Sequence, residues 1–169
     1  YKAGLIGKDK NGIGYGNISC RLDKNSFIIT GSGTGSLEQL TSEHYTRVTA
    51  YDLSENSLES TGPVKASSES MTHAAVYETI PGCNAVFHVH HLDLWEALLV
   101  RPPSTAKHIE YGTPAMAKEI ARLLKDPLLL KRGIFAMGGH REGIISFGKD
   151  LDHAGSVLVS WLAANKKLH

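Results

Sequence analysis

The sequence predicts a three-layer α/β/α sandwich around a mixed, largely antiparallel central sheet. Two observations carry this. Segments with strand character alternate with segments of helical periodicity along the chain, and several neighbouring strand segments are joined by turns too short for parallel strands. The composition agrees: 41% hydrophobic and 21% charged residues are ordinary for a globular chain. At 169 residues such a chain buries roughly 70% of the surface its unfolded form exposes. No repeat, low-complexity tract or Pro/Ser linker divides it, so residues 1–169 are expected to form a single domain.

Residues 1–6 read as the end of a helix stopped by Gly7. A glycine-rich stretch follows, Gly12-Ile13-Gly14-Tyr15-Gly16-Asn17-Ile18-Ser19. Residues 26–30 are a short strand rich in β-branched side chains, ended by Gly31-Ser32-Gly33-Thr34-Gly35, and residues 48–52 read as another strand. Residues 54–62 are polar and read as a turn between strands. Ser67-Ser68-Glu69 stands where a helix starts, with Ala74, Ala75 and Val76 inside it. Residues 84–89 are apolar and β-favouring, a buried strand. Residues 92–100 read as a helix stopped by Arg101-Pro102-Pro103. Thr113-Pro114 opens the best-signalled helix: Thr as cap, Pro at the first position, and Met116, Ile120, Leu123 and Leu124 on one stripe. Residues 133–137 and 144–147 are two strands joined by Gly138-Gly139-His140-Arg141-Glu142-Gly143, and Asp150 caps a last helix carrying Leu158, Trp161 and Leu162.

Charge and cysteine content exclude several classes. Lys plus Arg is 18 and Asp plus Glu is 17, so 18 − 17 leaves a net charge of +1, which gives no general attraction to nucleic acid or acidic membranes. Apolar runs such as residues 128–130 are far too short to span a bilayer. Cys20 and Cys83 make neither a disulfide framework nor a zinc-finger spacing, so a reducing, cytoplasmic setting is expected. The chain opens at Tyr1 with neither Met nor a signal-like stretch, and its start is read as truncated or partly disordered. Nine histidines are the unusual feature, since histidine is the commonest metal ligand.

Three constellations could carry chemistry. In Phe87-His88-Val89-His90-His91, side chains two apart on a strand share a face, so His88 and His90 project together as two ligands of one metal should. Taken alone, such a pair is more often two polar residues satisfied at a strand end. His140, in the glycine-rich bend, is the natural third ligand. The second constellation is Gly16-Asn17, Ser32-Gly33 and Ser67-Ser68, where turn amides, serine hydroxyls and a helix N-terminus make an anion cradle, or else three ordinary turns. Gly31 to Gly35 lacks the context of a dinucleotide fingerprint, and there is no phosphate-loop lysine. The third is Glu69, either a partner of the helix dipole or a general base beside a metal.

The order Gly16-Asn17-Ile18-Ser19, Ile28-Ile29-Thr30-Gly31-Ser32-Gly33, Ser67-Ser68-Glu69, His88-Val89-His90 and a later glycine-bounded His140 resembles the class II aldolase/adducin family, from about Gly12 to Ala163. The resemblance implies zinc, or another divalent ion such as cobalt or manganese, on His88, His90 and His140. It implies Glu69 as the catalytic acid/base and a substrate phosphate against Asn17, Ser32, Gly33, Ser67 and Ser68. The implied activity is a metal-dependent lyase: reversible aldol cleavage of a short sugar phosphate through a metal-stabilised enediolate. The implied assembly is a homotetramer. An epimerase or a dehydratase of the same family is the related enzyme reading, although the epimerase branch usually has aspartate at the position of Glu69. A non-catalytic adducin-like scaffold is the reading from another class.

The chain also departs from the family. Members usually have the third histidine directly before the glycine, whereas here the segment reads Gly139-His140-Arg141-Glu142-Gly143. His140 is favoured and Glu142 is the rival, since a carboxylate also binds zinc. The segment between His91 and Thr113 is short, and its one tyrosine is Tyr111, next to His108 and Glu110. No tyrosine follows Tyr111 up to His169, so no proton donor to the leaving group is assigned.

Overall fold

The computed structural model describes residues 1–101 and 103–166. Pro102 of the expected helix stop and the terminal His169 lie outside the described residues. β1 (Gly7–Lys8) and β2 (Gly14–Tyr15) pair as a small hairpin. β3 (Asn17–Arg21), β4 (Phe27–Thr30), β5 (Tyr45–Asp52), β6 (Ser57–Thr61), β7 (Ala85–His90), β8 (Ile134–Ala136) and β9 (Gly143–Gly148) form a seven-stranded sheet in the order β6-β5-β4-β3-β7-β9-β8. Every one of its pairings is antiparallel. The helices are α1 (Ser70–Thr79), α2 (Leu92–Leu99), α3 (Pro114–Leu123), α4 (Pro127–Arg132) and α5 (Leu151–Lys166). None of the described helices is long and apolar enough to cross a membrane.

Strand alternation sorts the two faces. Val86 of β7, Phe135 of β8, and Ile145 and Phe147 of β9 join Ala74, Ala75 and Val76 of α1 and Met116, Ile120 and Leu123 of α3 in one core. Val89, Ile134 and Ile144, from the same three strands, join Leu94 and Leu98 of α2 and Leu158 of α5 in the other. Each fully buried side chain of this kind contributes roughly 1.5–3 kcal/mol. β7 is therefore covered on both sides, and its even positions 86, 88 and 90 all face the α1 layer.

Helix ends follow local chemistry. Thr113 Oγ1 accepts the Met116 amide at 3.2 Å, and Asp150 Oδ1 accepts the His153 amide at 2.7 Å. α4 was not anticipated, although its punctuation is plain: Asp126 Oδ1 accepts the Leu128 amide, Pro127 stands at the first turn, and Gly133 closes the helix at φ +70°.

Two further expectations give way. Residues 1–6 are not helical. The Gly4 amide turns back to the Tyr1 carbonyl, and the Leu5 carbonyl accepts the His90 amide at 2.9 Å, because so few residues cannot repay helix nucleation. Residues 54–62 are more than a turn, since 57–61 form the edge strand β6. Its side chains are almost all exposed, as an edge strand allows, so no apolar alternation marks it.

Candidate metal centre

A cavity of about 700 Å³ opens at the C-terminal end of β7 and gathers all nine residues singled out from the sequence. At its deep end, His88 and His90 project from β7, with ring centroids 5.0 Å apart. His140 comes in from the bend between β8 and β9, 4.9 Å from the His88 ring and 4.8 Å from the His90 ring. Each ring offers a nitrogen, and these ligand atoms all lie within 4.8 Å of one another. His91 turns away, its Nδ1 accepting the Leu94 amide to cap α2.

The bend carrying His140 exists because it is glycine-rich. A Cβ on Gly138 would lie 2.2 Å from the Thr105 carbonyl oxygen, and one on Gly139 would lie 1.7 Å from that of Ile109. Glu142 takes the left-handed conformation at φ +67°. It lines the cavity, yet among the described residues the ligand cluster contains His140 and not Glu142.

Glu69 sits at the N-cap of α1, 3% exposed. Thr72, one turn on, donates its hydroxyl to Glu69 Oε2 at 2.7 Å, while Oε1 lies 3.5 Å from His140 Nδ1. Burial raises the Glu69 pKa, and His140, Thr72 and His90 oppose that rise. Burial, with His90 beside it, lowers His88 to about 3. Burial and His88 lower His140 to about 3 against the pull of Glu69. Burial also lowers His90, against Glu142 and Glu69. At neutral pH the three imidazoles are uncharged and keep lone pairs for a cation.

The residues fit a metal. His88 Nε2, His90 Nε2, His140 Nδ1 and Glu69 Oε1 are buried without a hydrogen-bond partner among the described residues, an arrangement costly in an apolar interior and relieved by a divalent ion. The other end of the cavity is small and polar. Ser67 Oγ accepts the Glu69 amide at 3.3 Å. The Ser32 amide donates to the Lys65 carbonyl at 2.9 Å. Gly33 takes φ +79°. A Cβ on Gly14 would meet the Gly33 carbonyl at 2.4 Å, so the β1–β2 hairpin closes directly on this loop.

Three residues here had no assigned role in the sequence. Tyr111 stacks on His140 with centroids 4.1 Å apart, and Tyr15 lies 4.8 Å from the His90 ring. The third is Thr72, whose spacing of three from Glu69 on a helix was the available signal.

The family description "Class II Aldolase and Adducin N-terminal domain" matches residues 7–162. The 3-oxo-tetronate 4-phosphate decarboxylase of Haemophilus influenzae is 39% identical over 77 residues, 46% of this chain and 33% of that protein. The match thus spans a third of the relative's length. Among solved structures, YgbL of Klebsiella pneumoniae, whose description leaves aldolase, epimerase and decarboxylase open, superposes with a TM-score of 0.71 at 21% identity, covering 99% of this chain and 81% of that one. An L-fuculose 1-phosphate aldolase gives 0.66 at 21%, covering 90% and 73%. The L-fuculose-1-phosphate aldolase of Thermus thermophilus gives 0.60 at 23%, covering 95% and 78%. At these identities the structural likeness is one of fold.

Proposed function

Because the chain belongs to the class II aldolase and adducin family, we propose that it is a divalent-metal-dependent lyase cleaving the carbon–carbon bond of a short sugar phosphate by a reversible aldol reaction. The observation that carries the reading is the meeting of three clustered histidines and a buried carboxylate in a cavity also lined by small polar residues. Zinc, or cobalt or manganese, on His88, His90 and His140 supplies a sink for the negative charge that develops on the substrate oxygens.

Glu69 is the acid/base of this reading. Thr72 holds Oε2, which leaves Oε1 on the cluster side. In the addition direction Oε1 takes the proton from the carbon beside the carbonyl, and in cleavage it returns it. Burial favours the protonated acid, which brings its proton affinity closer to the working pH. Ser32, Gly33, Ser67, Ser68 and Asn17 take the phosphate, so that binding at the inert end orients the reacting end. The same reading treats residues 1–169 as one domain, acting in the cytoplasm as a homo-oligomer, a tetramer by resemblance.

Decarboxylation of a 3-oxo acid phosphate is a second reading, favoured by the match to the Haemophilus influenzae decarboxylase. Loss of carbon dioxide beside a carbonyl makes the same demand for a charge sink, and Glu69 would return a proton to the same carbon. The test is a panel of ketose phosphates and 3-oxo acid phosphates, read by released aldehyde and released carbon dioxide. Activity is expected on one class, with Glu69→Gln keeping its metal and losing roughly 10²–10⁴-fold in rate. Full activity in Glu69→Gln overturns the role given to this carboxylate.

A further inference from the structure

We infer that Asn17 is a positioning residue for the metal centre, its side-chain amide setting which nitrogen of His88 faces the cluster. The inference rests on the three-histidine reading and deepens it.

The two residues meet because β3 and β7 are antiparallel partners with Asn17 directly opposite His88. Both are buried, 7% and 2% exposed, and the side-chain nitrogen Nδ2 of Asn17 lies 3.2 Å from His88 Nδ1. His88 Nε2 and Asn17 Oδ1 are buried as well, and neither has a hydrogen-bond partner among the described residues.

An uncharged imidazole carries one proton, and two arrangements are open to it. With the proton on Nε2, Nδ1 accepts from the Asn17 amino group. A buried N–H then points into the cluster with nothing to receive it, and Asn17 Oδ1 stays unpaired, each costing about 1–3 kcal/mol. With the proton on Nδ1 and the carboxamide rotated by half a turn, Oδ1 accepts from Nδ1–H, and Nε2 offers its lone pair to the ion. The two ends of a carboxamide have nearly the same shape, so the rotation disturbs no packing. Only the second arrangement pairs the carbonyl and makes Nε2 a ligand atom.

Zinc affinity measured by competition with a chromophoric chelator, together with inorganic phosphate binding, tests this in wild type, Asn17→Ala and Asn17→Asp. Wild type taking up about one zinc per chain is the premise; a folded wild type that binds none fails the three-histidine reading and the inference with it. Given that premise, Asn17→Ala is expected to weaken zinc by ~10–100-fold and to weaken phosphate too. Asn17→Asp, which keeps an acceptor for Nδ1–H, is expected to restore zinc affinity to within a few-fold of wild type while still losing phosphate. Unchanged zinc affinity in Asn17→Ala overturns the inference and leaves Asn17 as a phosphate ligand alone. If Asn17→Ala does not fold, nitrogen NMR of the zinc-loaded wild type decides. Proton on Nδ1 and metal on Nε2 of His88 is the expected result, and the opposite assignment overturns it.

Discussion

His88 and His90 reach the ligand cluster in one way and His140 in another. The first two need only a strand: positions two apart on β7 share a face, and β3 and β9 hydrogen-bond to it on either side. His140 sits in an irregular bend, held by the close passage of Gly138 and Gly139 over the backbone of residues 105–109. Two candidate ligands are thus placed by local periodicity, and the third by a tertiary contact that tolerates no side chain. The difference teaches where the site is robust and where it is fragile.

The largest effect should come from removing the third ligand. His140→Ala is expected to reduce bound divalent metal from near one ion per chain to near none by elemental analysis, while Glu142→Ala keeps it. The reverse result would move the ligand to the left-handed residue and end the distinction drawn here.

A subtler break leaves the ring intact and disturbs only its support. Gly139→Ala places a methyl 1.7 Å from the Ile109 carbonyl oxygen. A cost of ~1–3 kcal/mol in urea unfolding is expected, with weaker metal binding through displacement of His140. Gly82→Ala, where nothing lies within 4 Å, should stay within about 0.5 kcal/mol of wild type. Equal behaviour of the two variants would mean the bend is free to move.

A pH dependence is shared by both regions. His88 and His140 are lowered to about 3 from 6.5, and His73, buried under the same layer, is lowered well below 6.5. Between those values the unfolded chain binds protons that the folded, metal-free protein refuses. Stability is therefore full above about pH 6.5 and falls as the pH drops, by at most ~1.4 kcal/mol per unit for each histidine. Urea midpoints of the metal-free protein from pH 7 to 5 check this, and a flat profile would mean that water reaches the rings.

Legibility follows the same division. The H-x-H pair, the helix starts at Glu69 and Thr113, and the antiparallel character of the sheet could be read from periodicity and punctuation, because each is decided within a few residues. The choice between His140 and Glu142 could not, because it depends on which backbone the bend passes over. Strand β6 carries no apolar alternation, and the resting place of residues 1–6 depends on Leu5 meeting His90, 85 positions along the chain. Tyr111 was noticed in the sequence, but its stacking on His140 is a tertiary fact. Thr72 was the true omission, since its partner is one helical turn away.

The place of β7 between β3 and β9 has a kinetic consequence. The hairpin of β8 and β9 closes over a short loop, whereas Asn17 and His88 are 71 positions apart, and such distant pairings form slowly because loop closure comes before any reward. The ligand strand is complete only when the early and late parts of the chain have met across it. Metal capture during refolding should therefore trail the gain of secondary structure, which makes uptake of the ion a clock for the last step of assembly.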